Sequence, residues 1–335
     1  MPDTISWGVL GTAGIALNKV IPGMLKGTRG QIEGIASRDP ARAAEAAARF
    51  GIPRSYGSYE AMLSDPRIDA VYIPLPNQLH VPWAVRVMEA GKHVLCEKPI
   101  ALDADEASAL VAARDRTGRQ VLEAFMVRQH PQWLHVRELV ESGRIGSVHL
   151  VQTTMSYFNA DPANVRNRVE TGGGALYDIG CYAVLLARYV FGAEPARAVA
   201  VVERDPAFGT DRLTTGIVDF GAGRHLSFAC ATQLVRFQRV QIFGTGGRIE
   251  VPVALNAPQG ETTSLVIDTT GAIDGSGIEV EPIDACDQYT LQGDMAARVF
   301  LGEITAPYPI EDAVLNMRVI DALYRSGRTG AWESL

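Results

Sequence analysis

The 335-residue chain has little cysteine: Cys96, Cys181, Cys230 and Cys286 are widely spaced and form no C-x-x-C pair. That excludes a disulfide scaffold and a thioredoxin-type redox motif, and the four read as reduced core residues of a cytoplasmic protein. The six histidines form no H-x-x-x-H cluster, so no metal site is expected. Basic residues are outnumbered, 31 against 38 acidic, for a formal net charge of -7. Nucleic-acid binders carry basic stripes, so nucleic acid is not an expected partner. The start, "MPDTISWGVLG", has no basic region and no long apolar run, and no signal peptide is expected. No stretch of about 18 or more uncharged apolar residues occurs, so no membrane span is expected.

What is present is an ordinary globular composition, 47% apolar and 21% charged. A single core stops growing near roughly 250–300 residues, so two domains are expected. In the first, apolar strands alternate with helices: "SWGVLG", "GQIEGIAS", "DAVYIPLP", "HVLCEKP" and "QVLEAFM" are strands. "AGIALNKVIPGML", "DPARAAEAAARFG", "HVPWAVRVMEAG" and "DADEASALVAARDRTG" are helices, Pro22 kinking or ending the first. Asp39 before Pro40 caps one helix, and Asp103 or Asp105 caps another. Five strand–helix units imply a doubly wound parallel sheet, an α/β Rossmann domain over 1–127. After Met126 the pattern changes. One amphipathic helix, "PQWLHVRELVESGRIG", is followed by β-branched runs joined by Gly or polar turns, with a helix after "GGG" and two closing helices. Residues 128–335 therefore form an α+β domain with an open, mostly antiparallel sheet.

The chemistry-bearing stretches fall at strand ends. "GVLGTAGIA" leads from the first strand into a helix, with Gly11, Ala13 and Ala16 as a G-x-A-x-x-A form of the dinucleotide fingerprint. Small residues let the N–H groups of Gly11, Thr12, Ala13, Gly14 and Ile15 approach a pyrophosphate at a helix N-terminus. NAD sites usually place an acid at the end of the second strand for the ribose hydroxyl. Here Ser37 and Arg38 stand there, Glu33 lies inside the strand and Asp39 is used as a cap. Arg38, with Arg42 one turn on, can pair with a 2′-phosphate, which favours NADP over NAD; otherwise Arg38 is a solvated surface charge. Leu75, Pro76 and Asn77 follow the third strand at the edge where ligands bind. His80 either contacts the ribose with Asn77 or caps the next helix. Glu97 and Lys98 end the fourth strand beside the expected cofactor, and a lysine partly buried there can shuttle a proton. "GGGALYDIGCY" places Asp178 and Tyr182 at i and i+4, on one helix face. They are either an N-cap and a packing tyrosine or a catalytic pair. Arg128 follows a strand end, and Asn164 and Arg166 lie in the polar loop "FNADPANVRNR". These three are candidates for substrate contact.

Taken in order, the fingerprint turn, "EKP", "EAFMVRQHP" and "GGGALYDIGCY" resemble the glucose–fructose oxidoreductase / inositol dehydrogenase / rhizopine catabolism (Gfo/Idh/MocA) family over nearly the whole chain. The resemblance implies an NADP-dependent oxidoreductase, with NAD possible, acting on a sugar or polyol. It implies Lys98 as the catalytic lysine, Asp178 as the motif aspartate, and dimers or tetramers formed through the second-domain sheet. Many members have histidine four residues after the aspartate. Tyr182 in its place is similar to the branch with glucose–fructose oxidoreductase, dimeric dihydrodiol dehydrogenase and NADP-dependent xylose dehydrogenases. The expected reaction is oxidation of an aldose C1 hydroxyl to a lactone, or the reverse reduction of a keto-sugar or dicarbonyl. The family also contains cofactor-dependent glycosidases without net redox and a non-enzymatic regulator, so those two alternatives stand beside it.

Overall fold

The computed structural model describes residues 4–335. Residues 1–3, which open both the 1–127 domain and the stretch read for a signal peptide, lie outside it. In chain order the first elements are β1 (Ile5–Leu10), α1 (Ile21–Met24), β2 (Gly30–Ala36), α2 (Pro40–Phe50), β3 (Arg54–Tyr56) and α3 (Tyr59–Leu63). Then come β4 (Ala70–Ile73), α4 (His80–Glu89), β5 (His93–Cys96), α5 (Ala104–Thr117) and β6 (Val121–Glu123). The six strands are all parallel, in the order β3-β2-β1-β4-β5-β6. Strand order reverses at β1 and β4, and the carboxyl edge there is the ligand-binding crevice of doubly wound sheets. Local signals fix the helix ends as expected. The Asp39 carboxylate accepts the Ala41 and Arg42 N–H groups, Pro40 is the first helical residue and Gly51 ends α2 in the left-handed region. Asp103, not Asp105, caps α5.

One detail departs from the sequence reading and a second decides between its alternatives. The sheet has a sixth strand, β3, three residues long and partly exposed, too short and polar to stand out as an apolar run. Pro22 does not end its helix. The turn before it, Ala16–Val20, is a π-turn, and the Ile21 N–H reaches back five residues to the Ala16 carbonyl. That widened turn absorbs the hydrogen bond proline cannot make.

The later elements are α6 (Pro131–Glu141), β7 (Val148–Phe158), α7 (Cys181–Phe191), β8 (Arg197–Arg204), β9 (Asp211–Asp219), β10 (His225–Ala231), β11 (Gln233–Gly244) and β12 (Arg248–Val251). They continue with β13 (Thr263–Asp268), β14 (Ile278–Ile283), α8 (Gln288–Phe300), α9 (Ile310–Thr329) and β15 (Glu333–Ser334). The nine-stranded sheet runs β14-β13-β12-β11-β7-β10-β9-β8-β15. Every pair is antiparallel except β7 with β10. Alternate residues such as Val151, Val218, Leu226, Phe228 and Val240 are buried on one face, while Val201 and Ile217 on the other are exposed.

The chain divides into two compact units, and the boundary differs from 127/128. The first holds residues up to Gln129 together with Asp287–Val314; the second holds His130–Cys286 and Leu315–Leu335. The return of α8 to the first unit follows from its packing. The Asp294 carboxylate accepts the Thr28 and Arg29 N–H groups, and the Thr290 hydroxyl donates to the Gly23 carbonyl.

The helical run Val169–Phe191 is long and apolar enough to cross a membrane by length and composition, and 78% of its most apolar stretch is buried inside the protein. The sequence reading passed over it because charged residues interrupt it, Asp178 and Arg188 among them. All of 181–190 is buried, which makes α7 the central helix of the second unit. Cys96, Cys181 and Cys230 are buried as expected, but Cys286 is only half-buried.

Candidate active site

In the first unit the fingerprint turn leaves β1 with Gly11 at φ 116°, and the Gly11 N–H donates to the Ala36 carbonyl at 2.8 Å. A side chain there would be strained and would press on Leu75 at 3.2 Å. Thr12, Ala13 and Ile15 are half-buried. Gly14 is exposed, and a Cβ on it would meet only the Asn18 amide at 3.8 Å. The N-terminal end of this helix is thus open to a ligand of the size of a pyrophosphate. At the end of β2, Arg38 and Arg42 are exposed and Ser37 is buried, its hydroxyl accepting the Asp39 N–H at 3.1 Å. Arg38 donates to the Tyr59 hydroxyl, a partner the sequence reading missed. Burial raises the Tyr59 pKa, and Arg38 opposes the shift. The glycine turn and the exposed guanidinium suit a dinucleotide with a 2′-phosphate.

The turn that carries Lys98 is pinned on both sides. The Glu97 N–H donates to the Ile73 carbonyl at 3.0 Å, and the Glu97 carboxylate accepts the buried Tyr72 hydroxyl at 2.7 Å. Burial and then the Glu97 charge push the Tyr72 pKa well up. The Ile100 N–H donates to Glu123 at 2.8 Å, and the Lys98–Pro99 peptide is cis. His80 is neither a helix cap nor a surface ribose contact. It is fully buried, with Nδ1 2.8 Å from the Pro99 carbonyl and Nε2 2.7 Å from the Leu75 carbonyl. Pro76 and Asn77 start a short 3-10 turn just before it. Glu97 likewise turns inward to Tyr72. Both residues serve to hold the turn, a role invisible in sequence because their partners are distant.

Arg128 differs more sharply from its expected place beside substrate. It is 7% exposed, its guanidinium stacks 4.0 Å over the Tyr308 ring, and it pairs with Asp312. A buried guanidinium needs a carboxylate partner, and α9 supplies one. His130 caps α6, its ring accepting the Gln132 N–H at 3.1 Å.

In the second unit, Asp178 accepts the Tyr157 hydroxyl at 2.6 Å and pairs with Arg166 Nε at 2.9 Å. Burial first, then the Asp178 charge, drives the Tyr157 pKa up. Two expected site residues, Arg166 and Asp178, are therefore brought together. Asn164 is not: its side chain accepts the Arg166 N–H at 3.0 Å and caps a short 3-10 turn, so its oxygen is used within its own loop. Asp178 lies in a π-turn, Leu176–Gly180, rather than in an α-helix. The simple i, i+4 face read from the sequence is therefore widened by one residue per turn before Tyr182, which is 4% exposed in α7. The glycines ahead of it answer to protein neighbours rather than to an open cleft. A Cβ on Gly173 would strike the carbonyls of Arg166 and Arg168, and one on Gly174, at φ 125°, would strike the Asp211 carboxylate. Tyr157 and Asp211 carry no local signal in the sequence. Among the described residues no group of three or more His, Cys, Asp or Glu is arranged to hold a metal.

Residues 5–125 match the model of the "Oxidoreductase family, NAD-binding Rossmann fold", and residues 133–250 match the "GFO/IDH/MocA C-terminal domain". The chain belongs to the GFO/IDH/MocA oxidoreductase family. A relative within that family, an uncharacterized oxidoreductase of Rhizobium meliloti, is 45% identical over 99% of this chain and 100% of its own length. The D-xylose 1-dehydrogenase (NADP(+)) 2 of Haloferax volcanii is 38% identical over 97% of this chain and 98% of its own. Among solved structures, the 3-ketoreductase KijD10 from Actinomadura kijaniata, in complex with NADP and TDP-benzene, superposes with a TM-score of 0.90. Its identity is 27%, over 96% of this chain and 98% of that one. The family assignment accounts for the Rossmann sheet, the second sheet and the order of the motifs along the chain.

Proposed function

We propose that this protein is an NADP-dependent oxidoreductase of sugars or polyols, oxidising an aldose C1 hydroxyl to a lactone or running the reverse reduction of a keto-sugar or dicarbonyl. The observation that carries the reading is Asp178, held by Tyr157 and Arg166, four residues ahead of Tyr182, in a chain similar throughout to an NADP-dependent xylose dehydrogenase. Gly11, Thr12, Ala13, Gly14 and Ile15 take the pyrophosphate, and Leu75, Pro76 and Asn77 flank the ribose. Arg38, steadied by Tyr59 and assisted by Ser37 and Arg42, takes the 2′-phosphate. Bound NADP supplies the hydride acceptor at C4 of the nicotinamide. Oxidising a C–OH group also releases one proton, and moving that proton is the task of the protein. The Lys98 ammonium favours the phenolate form of Tyr182, which receives the proton from the sugar hydroxyl and becomes the neutral phenol. Asp178 orients the sugar, with Arg166 holding the carboxylate.

The test is a panel of aldoses, keto-sugars, diols and glycosides with NADP and NAD, followed by absorbance of the reduced cofactor. Net NADPH formation with an aldose is expected, and Lys98→Ala or Tyr182→Phe lowers kcat by roughly 10²–10⁴-fold. Near-wild-type kcat in either variant would sink the mechanism. Cleavage of a glycoside without net reduction, or binding without turnover, would replace it with a cofactor-dependent glycosidase or a sensor.

A further inference from the structure

The motif that carries Asp178 is anchored by a carboxylate remote from it in sequence. Asp211 opens β9 and is 1% exposed. Its Oδ2 accepts the Leu176 N–H at 2.7 Å and the Thr214 hydroxyl at 3.0 Å, and its Oδ1 accepts the Tyr324 hydroxyl from α9 at 2.8 Å. Leu176 is the first residue of the π-turn, and first-turn amides have no partner inside their own helix. Ala175, at the N-cap, has no side chain to supply one. Asp211 does so across the fold, and Gly174 lacks a side chain where that carboxylate sits. The missing local cap and the third glycine of "GGG" thus have one cause.

Stability alone does not explain Asp211. Burying a carboxylate costs several kcal/mol, and apolar groups of similar volume often replace buried charges at no loss. What an apolar group cannot do is fix one amide in one direction.

We propose that Asp211 is the positioning residue for Asp178 and Tyr182, its ionised carboxylate setting the π-turn from which both side chains project. The inference rests on the reading of Tyr182 as the group that handles the proton. The titratable and charged groups facing Asp211 are Tyr324 on α9, Tyr157 on β7, Arg204 on β8 and Cys230 on β10. Tyr177 lies against the Tyr324 ring, with centroids 5.0 Å apart. Burial pushes the Asp211 pKa up to about 6, while the Leu176, Tyr324 and Thr214 hydrogen bonds pull it down. Ionised, the carboxylate makes charge-assisted bonds about twice as strong as neutral ones. Protonation weakens the grip on Leu176, so activity rises with pH through the region near 6. Removing the Tyr324 hydroxyl removes one interaction that favours the charge, which moves that limb to higher pH.

Asp211→Asn and Tyr324→Phe test this. Asparagine keeps the shape, offering an oxygen to Leu176 and Thr214 and an amide to the Tyr324 oxygen. Expected for Asp211→Asn are a kcat reduced by roughly 10²-fold, as for a small misplacement of reacting groups, and loss of the acid limb. NADPH affinity by fluorescence titration stays unchanged, because the nucleotide turn belongs to the other unit. Native-state hydrogen exchange, read by mass spectrometry, speeds up over residues 175–182 and not in α6. Tyr324→Phe keeps the limb but shifts it upward. Unaltered exchange at Leu176 overturns the proposal whatever the activity, as does faster exchange with unaltered kcat or an acid limb unmoved in both variants. If the wild type turns over no sugar, the functional reading fails by itself and exchange alone decides the role of Asp211.

Discussion

His80 shows how a single buried side chain can hold the turn that carries Lys98. Burial pushes its pKa down to about 4, so at neutral pH the ring is uncharged and has one N–H for two carbonyls, those of Leu75 and Pro99. Replacing it by phenylalanine removes that N–H and leaves a buried carbonyl without its donor. Such a buried acceptor costs about 1–3 kcal/mol. His80→Phe is therefore expected to lower the urea midpoint by that order and to reduce kcat through the Lys98 turn. The pH dependence has a definite sign. With the folded pKa below the unfolded 6.5, the contribution of His80 is present above pH 6.5 and is lost as pH falls toward 4. That loss amounts to roughly 3 kcal/mol. Urea melts between pH 7 and 4.5 should be flatter for the variant, and equal slopes would remove His80 from the account. Little of this was legible locally. Its two carbonyls lie 5 and 19 residues away, and Arg128 similarly finds Asp312 across 184 residues.

At the scale of elements, both motif-bearing helices begin with a π-turn, Ala16–Val20 after the nucleotide turn and Leu176–Gly180 after "GGG". Such turns recur at functional sites because the extra residue re-aims neighbouring side chains. Periodicity does not reveal them, since one inserted residue shifts the apolar pattern too little to be seen. Gly174 sets the second one: its φ of 125° suits glycine alone, and the Asp211 carboxylate fills the space beside it. Gly174→Ala should combine backbone strain of about 1–3 kcal/mol with displacement of Asp211. A urea-melt loss at or above the top of that range is expected, with activity lost even where the variant folds. Gly192→Ala makes a useful comparison, because its φ of 57° is less extreme and a Cβ there meets nothing within 4 Å. Equal losses in the two would show that the contact with Asp211 does not matter.

At the scale of the molecule, the nine-stranded sheet buries one face and leaves the other open. On the open face Val201 is 76% and Ile217 42% exposed, while Val202, next in the chain, packs toward Gly327 of α9. An exposed apolar stretch on a broad sheet is a natural contact for a second copy. Homo-oligomerisation through this face is our proposal. Val201→Glu combined with Ile217→Glu should leave the fold intact and lower the molecular mass seen by sedimentation. An unchanged mass would place any interface elsewhere.

The sequence by itself determined the architecture and the motif positions. Apolar runs stopped by glycine, helices capped by Asp39 and Asp103, and the change of pattern after Met126 are local signals, because a strand or helix is specified by neighbours a few residues apart. The tertiary structure alone decided which polar groups meet. It joined Asp178 to Tyr157, Leu176 to Asp211, and Tyr72 to Glu97, and it returned Asp287–Val314 to the first unit. A buried charge or hydroxyl must find a partner wherever the fold brings one, and sequence spacing carries no record of that distance.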